Sequence, residues 1–155
     1  MRSSKPPIPA PFPMPDGALT TSNTTRLRVR YCECDPMGVA HHAAYVPWLE
    51  IGRTELLRSS GVSYAHLEAA GVFLVIVRLD VKYRRAIRYD DVVEIRTTWS
   101  GGGRVKIEHH YEVAVVEAGG GGDAGFVAAV ANTTLGCVDE KGLVRELPEW
   151  LVYRG

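Results

Sequence analysis

The chain has 155 residues, 46% of them hydrophobic, and its 18 Lys plus Arg balance 18 Asp plus Glu. That is about one domain's worth, with enough apolar mass for a proper core. A formal net charge of zero gives no electrostatic case for nucleic acid or an anionic membrane surface as a partner.

Residues 1–24 are rich in Pro, Ser and Thr, with prolines at 6, 7, 9, 11, 13 and 15. Such a stretch buries too little to offset the entropy of ordering, so it reads as a flexible tail ahead of one domain over 25–155. It has no apolar core of a signal peptide, and no run in the chain approaches the roughly 18 apolar residues of a membrane span. The three cysteines, Cys32, Cys34 and Cys137, form no legible disulfide framework. A cytoplasmic location is expected from both features.

From Leu27 to Cys34 the side chains alternate, with Leu27, Val29 and Tyr31 on one face, which predicts a first strand with that face buried. Asp35-Pro36-Met37-Gly38 then supplies turn chemistry. Over 45–60, Tyr45, Trp48, Leu49, Gly52 and Leu56 recur at helical spacing while Glu50, Arg53, Glu55 and Arg58 take other faces. Pro47 lacks an N–H and is tolerated only in a first turn, which dates the helix start to about His42–Ala44. Gly61 stops it.

A short second helix is expected over 63–70, with Ser63 as its N-cap. Strands follow over 72–84, 92–99, 104–117 and 126–138, separated in the later part by the glycines at 101–103 and 119–122. Neither glycine cluster continues as a phosphate loop or a dinucleotide fingerprint. One early helix and about five consecutive strands make an α+β pattern. A four-turn helix covers such a sheet only if the sheet curls round it, and the remaining apolar face calls for a second subunit.

The chemistry gathers at the turn. A carboxylate, Asp35, lies just before a helix start, whose free N–H groups and partial positive charge stabilise developing negative charge. That is acyl-transfer chemistry in outline. Cys32 and Cys34 with His41 and His42 invite a zinc reading, but a structural site needs four paired ligands and Cys137 has no Cys or His near it. No metal is expected.

The run Arg30-Tyr31-x-Glu33-x-Asp35-x-Met37-Gly38-Val39-x-His41-His42-x-x-Tyr45-x-x-Trp48-x-Glu50-x-x-Arg53-x-Glu55 resembles the hot-dog-fold acyl-CoA thioesterases of the 4-hydroxybenzoyl-CoA thioesterase type, including the small bacterial enzymes associated with the Tol–Pal system. Tyr83-Arg84-x-x-Ile87-Arg88-Tyr89-Asp90-Asp91 extends the resemblance, which covers about 27–150. It implies a long central helix wrapped by a curved antiparallel sheet, and hydrolysis of an acyl-CoA thioester to free acid and thiol. CoA would be part of the substrate, with no other cofactor. It implies Asp35 as catalytic acid residue, acting as base or as nucleophile, and the main-chain N–H of His42 as oxyanion donor, with Tyr31 and the His42 ring as further functional groups. Tyr45, Trp48 and Glu50 would line the acyl pocket; of Arg84, Arg85, Arg88, Arg104 and Lys106, all able to meet the CoA phosphates by charge-assisted hydrogen bonds, the resemblance favours Arg104 and Lys106. The family assembles as dimers, often paired into homotetramers. This chain departs from its pattern at Ala44, where Asn is common, and at Pro47. A non-catalytic acyl-binding or scaffold protein on the same fold, and a hot-dog enoyl-thioester hydratase or dehydratase, are the rival readings.

Overall fold

The computed structural model describes residues 12–155. In chain order it contains β1 (Ser22–Arg28), α1 (Tyr45–Arg58), α2 (Tyr64–Ala69), β2 (Phe73–Tyr83), β3 (Val92–Gly102), β4 (Lys106–Glu117) and β5 (Phe126–Val138). The strands pair antiparallel in one sheet, ordered β1-β3-β4-β5-β2. The sheet curves round α1, giving the α+β hot-dog architecture that the resemblance implies.

The helix is held by one stripe. Tyr45, Trp48, Leu49, Gly52, Arg53, Leu56 and Leu57 are its buried residues, at the three-and-one spacing of a single helical face. Opposite them, Val93 and Ile95 of β3, Tyr111 and Val113 of β4 and Ala129 and Ala131 of β5 alternate inward and complete one core cluster. A second cluster lies under the far half of α1 and α2, built from Leu57, Val62, Leu67, Ile107 and Leu135 among others. Ser63 caps α2 by accepting the His66 N–H at 3.2 Å, as its position predicts.

The first strand lies earlier than the alternation suggested. β1 is Ser22–Arg28, and Tyr31–Glu33 is a 3-10 turn. The β-branched Thr24 and Thr25 favour extended backbone, and every residue of β1 has a partner on β3. Polar composition hid the strand because it is an edge whose outer face meets solvent. Residues 12–24 of the expected tail are described: the Asp16 N–H donates to the Ser60 carbonyl at 3.1 Å and the Thr20 N–H to Ser60 Oγ at 3.1 Å. Residues 1–11 lie outside the described part. Tyr31, read as a residue of the buried face, is 82% exposed because the turn ends the alternation before it.

Arg53 is the other correction. Placed on a polar face by its charge, it is 7% exposed, its guanidinium near His109 and the hydroxyls of Tyr64 and Tyr111. Its carboxylate partner is Glu50, 3.4 Å away on the solvent side. Burial, with the Arg53 charge added, holds His109 down to about 4, against 6.5 ordinarily.

Two predictions follow from this core. Gly52 faces β3 so closely that a Cβ would lie 2.8 Å from Ile95 Cγ2 and collide with Thr97 Oγ1. Gly52→Val therefore forces α1 away from the sheet and lowers unfolding free energy by about 1–3 kcal/mol, read from the urea midpoint. His109 folds neutral, whereas in the unfolded chain it takes up a proton near pH 6.5. Its contribution is complete above pH 6.5 and is lost as pH falls toward 4, by roughly 3 kcal/mol in all. Chemical denaturation across that window shows the decline, and His109→Gln removes this component of the slope.

Candidate active site

Asp35 opens a tight turn. Its N–H donates to the Val39 carbonyl at 2.9 Å, and the Gly38 N–H returns to the Asp35 carbonyl at 2.9 Å. Gly38 sits at φ +77°, backbone that glycine adopts without steric cost. The carboxylate is oriented from within: Asp35 Oδ1 accepts the Met37 N–H at 2.9 Å. The other oxygen, Oδ2, has no hydrogen-bond partner among the described residues, on a half-buried residue. It is free to take a proton or attack carbon.

The turn returns the chain as a short extended arm, 39–41, pinned on both sides. Cys34 bridges Ala40 and Val39 bridges Arg88. The His41 N–H donates to the Glu33 carbonyl at 2.8 Å and the Ala40 N–H to the Ile87 carbonyl at 2.7 Å. The arm runs directly into the 3-10 turn His42–Ala44 and then α1. His41 is the N-cap: its Nδ1 accepts the Ala43 N–H at 3.1 Å, and the Ala44 N–H goes to the His41 carbonyl at 2.9 Å. The His42 N–H has no acceptor among the described residues and is the free donor at the helix start, the position that Pro47 dates from sequence. Tyr83 fixes the same turn by donating its hydroxyl to the His42 carbonyl at 2.9 Å, its ring edge-on to Tyr45 at 4.9 Å.

Two residues that hold this geometry were not singled out from sequence. Glu33 accepts the Trp48 indole N–H at 3.0 Å through Oε2 and pairs with Arg30 through Oε1, strapping the Asp35 segment to α1. His41 replaces the Ser, Thr, Asp or Asn that usually signals a cap. The spacing of Glu33 to Trp48 is long range, and no local pattern announces it.

The remaining expected residues fall into three groups. Tyr31 stands exposed with its ring edge-on to Tyr89 at 5.7 Å, near the turn but outside the core. The His42 ring is exposed and stacks on His41 at 4.1 Å. Tyr45 and Trp48 are 3% and 2% exposed and fill the space between helix and sheet; burial pushes the Tyr45 hydroxyl up to about 12. Glu50 faces solvent, paired with Arg53. Arg104 and Lys106 sit at the β3–β4 hairpin, paired with Glu146 at 2.9 Å and Glu108 at 3.7 Å. The Asp35 hairpin adjoins the opposite, Val92 end of that eleven-residue strand, up to roughly 35 Å away along it. Within one protomer they do not gather at the acid.

The sequence and the fold are both shared with known proteins. The chain is 27% identical over 129 residues to YneP of Bacillus subtilis (strain 168), spanning 80% of this chain and 88% of that one. It is 41% identical over 71 residues to the acyl-CoA thioester hydrolase YbgC of Escherichia coli O6:H1, a match to 46% of this chain and 53% of YbgC. In structure it is similar to a DHNA-CoA thioesterase from Staphylococcus aureus, with a TM-score of 0.75 at 27% identity over 84% of this chain and 83% of that one. The model of the thioesterase-like superfamily matches residues 29–155, and the chain belongs to that family.

Proposed function

We propose that this protein hydrolyses the thioester bond of an acyl-CoA or a related acyl thioester, giving a free acid and a thiol. The observation that carries the reading is the pairing of a half-free carboxylate, Asp35, with an unengaged backbone donor, the His42 N–H, on two ends of one pinned hairpin. The thioester carbonyl oxygen accepts the His42 N–H. Asp35 Oδ2 either removes a proton from an attacking water or itself attacks the carbonyl carbon to form an anhydride that water then opens. In both routes the carbon–sulfur bond breaks after a tetrahedral oxyanion has formed against the amide, where loss of one such donor typically costs about 3 kcal/mol of barrier. The names of YbgC and of the S. aureus enzyme, both thioester hydrolases, support the same reaction class.

The active unit is proposed to be a homo-oligomer, a dimer further paired into a tetramer. β2 is an edge of the sheet, and it exposes Val75, Ile76, Val77 and Leu79, the third of these 62% exposed. An unpaired apolar edge of eleven residues recruits another strand, and a second copy antiparallel along β2 satisfies it with two-fold symmetry. No helix among the described residues is long and apolar enough to cross a membrane; the free Cys32, Cys34 and Cys137 support the cytoplasmic location proposed with this function.

Two measurements test the reading. Turnover of a panel of short, long and aromatic acyl-CoAs falls about 10³-fold in Asp35→Asn, with the melting temperature preserved; undiminished turnover removes the acid from the mechanism. Val77→Arg on the exposed edge shifts sedimentation from oligomer toward monomer, and an unchanged sedimentation coefficient argues against pairing along β2.

A further inference from the structure

The arginines beside the catalytic hairpin frame a cavity that the hydrolytic step does not use. Val39 bridges Arg88, and the Tyr89 N–H donates to the Gly38 carbonyl at 3.2 Å, so the segment 87–91 lies one strand spacing from the arm and about 10 Å from Asp35. Beyond it opens a polar cavity of about 410 Å³ lined by Arg85, Arg88, Asp91, Gly121, Gly122 and Asp123, with Phe126 at its edge. That volume lies in the range of ligand sites.

The cavity is built. Asp91 is 3% exposed, and both its oxygens hold backbone: Oδ2 accepts the Arg88 N–H at 2.9 Å and Oδ1 accepts the Gly119 N–H at 3.0 Å. One buried carboxylate thus joins the arginine wall to the glycine wall, both its oxygens engaged by backbone N–H groups. Beside that wall a Cβ at Gly119 would collide with the Asp90 carbonyl, and on it one at Gly122 would lie 3.3 Å from Arg88 Cδ. The Arg88 guanidinium has no ion-pair or hydrogen-bond partner among the described residues. Arg85 is stacked on the Phe126 ring at 3.8 Å and meets Asp123 at 3.1 Å, an aspartate side chain 80% exposed. An exposed pair of that kind is worth little and yields to a stronger anion.

We propose that this cavity receives phosphate of the thiol carrier, the phosphate ester at the end of the pantetheine arm, whether borne by CoA or by a carrier protein. The inference rests on the thioester reading and names the part of the substrate that the reading leaves open. Arg88 and Arg85 bind the phosphate oxygens through charge-assisted hydrogen bonds, and the side-chain-free loop lets the group approach backbone. The arm then runs from Arg88 past Val39 to the carbonyl at Asp35. This places the phosphate clamp within the same protomer as the acid, in contrast to Arg104 and Lys106.

Calorimetric titration of the full chain with pantetheine, 4′-phosphopantetheine and CoA reads the site directly. The two phosphorylated ligands bind about tenfold or more tightly than pantetheine, Arg88→Ala closes that gap, and Arg88→Lys retains part of it. A melt verifies that the exposed substitution leaves the fold intact. In turnover, Arg88→Ala raises KM for acyl-CoA about tenfold at unchanged kcat and leaves KM for acyl-pantetheine alone. An effect shared with a carrier-protein thioester bears out the 4′-phosphate, whereas one confined to CoA assigns the arginines to its nucleotide phosphates and overturns the proposal. No affinity gap in the parent, or a gap that Arg88→Ala leaves standing, overturns it. If the gap is present but no thioester is turned over, the hydrolase reading fails and the phosphate site stands.

Discussion

Everything at the acid depends on a ladder of four backbone bonds. Val39 to Asp35, Glu33 to His41, Ile87 to Ala40 and Gly38 to Tyr89 hold a three-residue arm between the sheet and the helix start. Backbone bonds of this kind contribute only about 1 kcal/mol each to stability, but they set position rigidly because each fixes a peptide plane. The proposed chemistry needs a carboxylate and an amide held in fixed relation, since a misplacement of an ångström is costly in rate. A short hairpin hydrogen-bonded on both sides meets that demand without requiring any one side chain to be large or buried. This is why the residues at the site, Asp35, His41 and His42, are all at least partly exposed on a rigid frame.

α1 serves two purposes along its length. The 3-10 turn that leads into it presents the free His42 N–H, and this start is locked by contacts from three directions: His41 from before it, Tyr83 from β2 and Glu33 through Trp48. Its later turns are structural, with Gly52 admitting β3 at close range and Arg53 supplying a buried charge among aromatic hydroxyls and His109. A guanidinium in that position is costly to desolvate, and the Glu50 carboxylate that offsets it stands 64% exposed at the surface. The arrangement keeps His109 neutral, so the polar centre beneath the helix titrates only well below neutral pH.

Much of this was legible from residues alone. β5 has the bounds that its β-branched run gives, 126–138, and Pro47 located the free amide because a missing N–H is a hard constraint on helix phase. What failed did so for physical reasons. β1 is polar because it is a solvent-facing edge, so hydrophobic alternation pointed downstream of Ser22–Arg28 to 27–34 and carried Tyr31 into a core it does not enter. Arg53 was assigned by charge to solvent, whereas its stem and planar head fit an aromatic cavity. Arg104 and Lys106, by contrast, were favoured from the resemblance, and the strand register separates their hairpin from the acid within one protomer. Glu33 was invisible since its partner is fifteen residues away across a turn and a helix start.

The balance of charge sharpens the distinction between the two ends of the sheet. With equal numbers of acids and bases, most arginines are paired: Arg26 and Arg96 with Glu94, Arg58 with Glu55, Arg104 with Glu146, Arg154 with Glu149. Among the described residues Arg78, Arg84, Arg88 and Arg145 have no carboxylate partner, and of these Arg88 bridges the hairpin that carries Asp35. The nearest buried acid, Asp91, could have neutralised it but spends both oxygens on N–H groups of the two walls. A buried carboxylate satisfied by backbone donors stabilises the walls and leaves the guanidinium without a hydrogen-bonded ion-pair partner. The two arginines and two aspartates of the lining balance in charge, so recognition of the proposed phosphate would rest on the directed N–H groups of Arg88 rather than on net positive potential.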